Sequence, residues 1–138
     1  MAAFNKFNSF VEALAEKVHN LGADTLKVML TNSAPVASNT VKANLTEISA
    51  GNGYTAGGHT INISSSSQTS GTYKLVVADV TISASGAVGP FRYAVIYNDT
   101  ATNDELIGWY DYASSISLAN GESFTIDFDP TNGLLQLV

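Results

Sequence analysis

Cysteine is missing from this 138-residue chain, which excludes disulfides and thiolate metal sites and leaves the redox compartment open. Charge is scarce too. Asp, Glu, Lys and Arg supply 13% of the residues, about half the share of an ordinary soluble domain. Cations are the rarer sign: five lysines and a single arginine, Arg92, stand against 12 carboxylates, for a net charge of −6. None of these cations cluster, so the basic stripe that displaces counterions from phosphates is lacking, and direct nucleic-acid binding is not expected. No apolar run approaches the roughly eighteen residues of a membrane span. The opening segment MAAFNKFNSFVEALAEKV carries charges throughout, unlike a signal peptide, so a cytoplasmic site of synthesis is expected.

Ser, Thr, Asn and Gly fill the place of the missing charges, while 45% of the residues are hydrophobic, enough for one continuous core in one domain spanning residues 1–138. Phe4, Phe7, Phe10 or Val11, Leu14, Val18 and Leu21 recur at three-and-four spacing, and Gly22 follows. This predicts an N-terminal amphipathic helix over about residues 3–21. Beyond it the period changes to two. Strands are predicted over Thr25–Asn32, His59–Ser64, Thr72–Ser85 (one bent strand or two) and Leu134–Val138. Three more lie in the aromatic run Gly89–Phe128, where Phe91, Tyr93, Val95 and Tyr97 alternate with Arg92, Ala94, Ile96 and Asn98. Val41–Ile48 reads as a short strand or a helical turn. SAGNGYTAGG, residues 49–58, reads as a long flexible loop, and SSSSQTSG, residues 64–71, as an exposed turn or edge. NDTATNDE and the Asn-Gly pairs at 120–121 and 132–133 supply hairpin turns. The pattern predicts a mainly β protein, an antiparallel β-sandwich or jelly roll behind one helix.

Chemistry is harder to find. His19 and His59 have no nucleophile elbow or similar frame around them. The glycine-rich loop fits neither phosphate-binding spacing. Asp127 and Asp129 share a predicted strand face, with Asp111 on a neighbouring strand, an arrangement that a glycosidase pair or a solvated face would equally give. DFDPTNG has glycine one place late for a calcium loop and Val138 where a glutamate is needed. Trp109, Tyr110 and Tyr112 suggest a sugar platform, but alternation sends Trp109 to the opposite face from the two tyrosines. Arg92, among aromatics, reads as an ion pair with Asp111 or Asp127, or as a specific contact. No catalytic set, cofactor or metal is expected.

The segments LTEISAGNGYTAGG, SSSSQTSGTYKLVVADVTISASGAVGPFRYAVIYNDT and LIGWYDYASSISLANGESFTIDFD resemble small virion proteins of tailed double-stranded-DNA bacteriophages. The resemblance spans nearly the whole chain and implies a capsid cement or decoration protein. Such a protein is made in the host cytoplasm and sits on the outer head surface. It partners the major capsid protein and itself, as a dimer or trimer. The alternative is a tail-associated or receptor-binding module for host-surface sugar. Contact surfaces are expected on the helix stripe (Phe4, Phe7, Val11, Leu14), at the loops around Tyr54 and Asn103, and at Arg92.

Overall fold

A computed structural model describes residues 2–138. The predicted long helix is replaced by a short strand, β1 (Asn5–Lys6), and a two-turn helix, α1 (Ser9–Ala15). Glu16 closes the helix, and Lys17 follows in the left-handed region at φ 69°. Phe4 and Phe7 fit a helical stripe by spacing, but pairing with a strand edge gives them more. Asn5 and Lys6 lie opposite Trp109 and Gly108. Phe4 packs edge-on against Tyr110, with ring centroids 5.9 Å apart. Phe7 goes to the other face, fully buried and 4.6 Å from the Trp109 ring. Burying one Phe is worth about 2–3 kcal/mol, more than one further turn of an isolated helix returns. Within α1, Phe10 is buried and Leu14 half-buried, one turn apart, whereas Val11 stays 50% exposed.

The rest of the chain is antiparallel β-structure: β2 (Leu26–Thr31), β3 (His59–Thr60), β4 (Ile63–Thr69), β5 (Thr72–Val77), β6 (Val80–Ser83), β7 (Val88–Asn98), β8 (Leu106–Leu118), β9 (Ser123–Ile126) and β10 (Leu135–Leu137). A five-stranded sheet runs β1-β8-β7-β2-β3, a three-stranded sheet β10-β5-β4, and β6 pairs with β9. The expected strand Thr72–Ser85 is two strands, and the serine tract is the outer strand β4. Its turn falls at Ser70 and Gly71, which hold φ of 52° and 84°. Val41–Ile48 resolves into a single 3-10 turn, Lys42–Asn44, flanked by bridges Val41–Glu105 and Thr31–Glu47.

One core takes residues from every sheet. Leu26, Val28, Leu30, Ala94, Ile96 and Tyr110 come from the large sheet. Leu75 and Val77, Val80 and Ile82, and Ile126 and Leu135 meet them from the smaller ones, joined by Phe128 just past β9. A second cluster lies on the opposite face of the large sheet, where Met29, Tyr93, Val95, Tyr97 and Leu106 are covered by Phe7 and Leu45. So β7 is buried on both faces from Tyr93 to Asn98. Its expected alternation also breaks at a register shift between Phe91 and Tyr93, which puts Phe91 in the first core and Tyr93 in the second. Bulges of this kind re-aim side chains without ending the strand.

Candidate functional site

The loop expected to be flexible is held down. Gly58, at φ 88°, lies so close to the Val28 carbonyl that a Cβ would overlap it, and Gly53 meets the Ser83 carbonyl in the same way. These approaches need glycine both for the space and for the backbone angle. Tyr54, expected to contact a partner, is 2% exposed and is a core residue. Its hydroxyl accepts the Leu30 N–H at 3.0 Å and donates to Glu47 Oε2. The Gly57 N–H reaches both Glu47 oxygens, at 3.1 and 2.8 Å. Lys42 Nζ stands 3.8 Å from Glu47 Oε1 and 5.7 Å from the centre of the Tyr97 ring, while the Tyr97 hydroxyl donates to the Gly57 carbonyl. Burial, reinforced by the bond to Glu47, pushes the Tyr54 phenol far above its ordinary range. Burial, with Asp99 nearby, raises Tyr97 as well. A phenol so hard to ionise serves as a neutral donor, so this group of side chains works as a clip holding residues 41–58 onto β2 and β7.

A second knot ties the β7–β8 loop to the segment after α1. Asn98 Oδ1 accepts N–H bonds from Thr100 and Ala101 at 3.0 and 3.2 Å, which fixes the orientation of its amide. Its Nδ2 therefore donates, to His19 Nδ1 at 3.0 Å and to Asp24 Oδ2 at 2.7 Å. His19 is 4% exposed, and burial lowers its pKa despite Glu105 and Asp24 nearby. The neutral ring accepts at Nδ1, so its proton sits on Nε2, which has no partner among the described residues. A catalytic relay needs the reverse, with Nδ1–H donated to a carboxylate. His59 packs edge-on against Tyr54 at 5.6 Å; burial lowers its pKa too, and its Nε2 is likewise unpartnered among the described residues.

Two of the three candidate carboxylates, Asp111 and Asp129, hold backbone; Asp127 and Asp129 lie past the end of β9 and so do not share a strand face. Asp111 takes Arg92 on two bonds, Nε–Oδ1 at 2.8 Å and Nη2–Oδ2 at 3.2 Å, and accepts the Ala113 N–H at 2.7 Å. The Arg92 bonds hold Asp111 below the usual carboxylate range, and the guanidinium lies 5.3 Å from the Tyr93 ring centre. Of the two partners expected for Arg92, Asp111 is the one found. Asp129 accepts the Thr131 and Asn132 N–H groups at 2.8 and 2.9 Å and the Asn132 amide at 2.9 Å, so its pKa is lowered. Those bonds build the Pro130–Gly133 turn. Among the described residues no three His, Cys, Asp or Glu side chains stand together as a metal site would need. Tyr112 packs edge-on against Phe124 at 5.1 Å, and burial moves its phenol up to about 12.

The expected contact residues are thus dispersed. Phe4 and Phe7 clasp the β8 edge, Leu14 and the exposed Val11 lie on α1, Tyr54 is in the core, and Arg92 is paired. Asn103 is exposed in the β7–β8 loop, with its amide 3.3 Å from Glu105 Oε1. Sequence reasoning passed over Glu47, Lys42 and Asn98. The one available signal was an acidic residue set in the otherwise uncharged stretch Ala43–Tyr54.

Open surfaces lie along the three-stranded sheet. A groove of about 680 Å³ runs between the end of α1 and the three-stranded sheet, lined by Leu14, Lys17, His19, Tyr73 and Leu137 among others. The outer face of the same sheet forms a smaller trough of about 540 Å³, lined by Ser65, Ser67, Thr69, Thr72, Lys74 and Gln136 among others. Lys74, the one charge among those six, already donates to the Thr131 carbonyl at 3.3 Å. Comparison with protein-family models, curated proteins and solved structures gives no match.

Proposed function

We propose that this chain is a structural protein of a tailed-phage virion, a cement or decoration protein that binds the outer head surface across capsomer boundaries. Its strands are read as a β-sandwich of the jelly-roll kind, since one core takes side chains from all three sheets. The observation that carries the functional reading is the hydroxyl-rich outer face of β4, β5 and β10. Covering Ser, Thr and Gln side chains with a partner costs far less desolvation than covering carboxylates, and their hydroxyls re-form bonds with whatever they meet. A chain of net charge −6 that keeps carboxylates off this face is suited to broad protein contact. Binding only the assembled shell shifts the assembly equilibrium towards it. The sugar-binding alternative has weaker support, because Tyr112 and Trp109 are packed against Phe124 and Phe7.

Antibody to the chain, applied to virions that encode it, tests the reading. Label over the heads, with heads made fragile when the protein is stripped at low salt, is the expected result. Label confined to tail tips, with host adsorption lost on stripping, would favour the sugar-binding module and overturn the cement assignment.

A further inference from the structure

The edge of the three-stranded sheet offers a different surface from its face. β4 is the outer strand of that sheet and seven residues long, whereas β1 and β3 have two residues, β10 three, and β6 and β9 four each. Beyond its ladder with β5, no backbone hydrogen bond from Ile63–Thr69 to another segment is present among the described residues. A row of free N–H and C=O groups is a template for a further strand, and soluble proteins blunt such edges with Lys, Pro or brevity. ISSSSQT has none of these guards. Its one irregularity, the shift between Ile63 and Ser65, leaves Ser65–Thr69 in regular register.

We infer that β4 is a self-association edge, through which two copies of this chain pair antiparallel about a two-fold axis and join their three-stranded sheets into one. This deepens the structural-protein reading above by naming a second copy as the occupant of one edge. Charge selects that occupant. Two copies of a −6 chain repel, but β4 and its neighbour β5 contain no carboxylate, and Lys74 is their one charged side chain. In a homotypic antiparallel pair, Ser65, Ser67 and Thr69 face the same residue types across the axis. Hydroxyls suit that arrangement because each both donates and accepts. The chain already uses such a pair internally, where Thr81 and Thr125 meet at 3.0 Å across the β6–β9 ladder. Pairing about a two-fold axis consumes both edges and closes the assembly at two.

Light scattering and sedimentation of the full chain provide the test. The expected mass at high concentration is twice the 14.5 kDa of one chain. The double variant Ser65→Asp with Ser67→Asp sets like charges across the axis and is expected to lose the dimer. Both side chains are exposed, so circular dichroism should remain that of the parent. A parent that stays monomeric at every concentration overturns the inference, as does a folded double variant that still dimerises. Hydrogen exchange on the unmodified chain guards against a variant that fails to fold. Protection of the Ser64–Thr69 amides should rise with concentration, and concentration-independent exchange there also overturns the pairing. A monomer that still coats phage heads removes the edge pairing and spares the virion assignment; a dimer that ignores heads does the reverse.

Discussion

Replacing Tyr54 by Phe removes one oxygen and leaves the ring in the core. The hydrophobic contribution is therefore unchanged, and the cost comes from hydrogen bonds alone. The Leu30 N–H, held at 3.0 Å by the Tyr54 hydroxyl, loses its acceptor in a buried strand, and a stranded buried donor costs about 1–3 kcal/mol. Glu47 loses its phenol donor, a bond to a charged group worth about 1.5–3 kcal/mol. It keeps Gly57 and Lys42, which softens that loss. The sum is a destabilisation of about 3 kcal/mol, a large share of the roughly 5–15 kcal/mol available to a domain. It should lower the melting temperature by about 10 °C. Urea denaturation followed by Trp109 fluorescence measures this directly, with the slope of the transition unchanged. The pair Tyr54→Phe and Glu47→Gln should also be non-additive in a double-mutant cycle. A Tyr54→Phe protein within about 0.5 kcal/mol of the parent, the scatter of ordinary surface changes, would refute the clip.

Two further outcomes are expected. Gly108→Ala drives a methyl into the Phe4 ring and to 2.7 Å from the Asn5 carbonyl, so β1 should lift from β8 at a cost of about 1–3 kcal/mol; proteolysis near residue 6 should accelerate, and an unchanged cleavage rate counts against the clasp. Burial lowers the folded-state pKa of His19 and of His59, so the native state favours both neutral. Their contribution is complete above the ordinary value near 6.5 and is lost as pH falls from there through the folded values. Unfolding midpoints should drop over that window and the His19 ring should titrate below 6.5 by NMR, whereas a midpoint at or above 6.5 would remove the Asn98 bond as the neutral ring's partner.

The strands from Phe91 onward were readable because runs of β-branched and aromatic residues are bounded there by turn chemistry. Turns fall at NDTATNDE and at both Asn-Gly pairs, but only the first closes a hairpin, since β9 pairs with β6 and β10 with β5. The N-terminus misled for a physical reason. Phe4, Phe7, Phe10 and Leu14 satisfy helical spacing, but the edge of β8 was free to take Asn5 and Lys6, and tertiary pairing overrode the local pattern. Alternation failed for β7 because both its faces are covered, one by the smaller sheets and one by Phe7 and Leu45. From one strand's sequence, a residue facing a second core looks the same as one facing water when it is Tyr or Asn. The clip was hidden more deeply still. Glu47 and Tyr54 are seven residues apart, yet their third partner, Leu30, lies on another strand, and glycines that suggest mobility are there to permit contact.

The ladder between β1 and β8 joins residues 104 positions apart, and β2 runs antiparallel to β7, Leu26 opposite Asn98. During synthesis β1 therefore has no partner strand until β8 has been made, and β2, though it meets Glu47, Tyr54 and β3 earlier, lacks its longest ladder until β7 follows. Phe4 and Phe7 wait in the open until Trp109 and Tyr110 are made, and one edge of β2 waits for β7. Closing such long loops before any contact repays them slows folding. Until then the nascent chain exposes apolar surface that favours association with other chains.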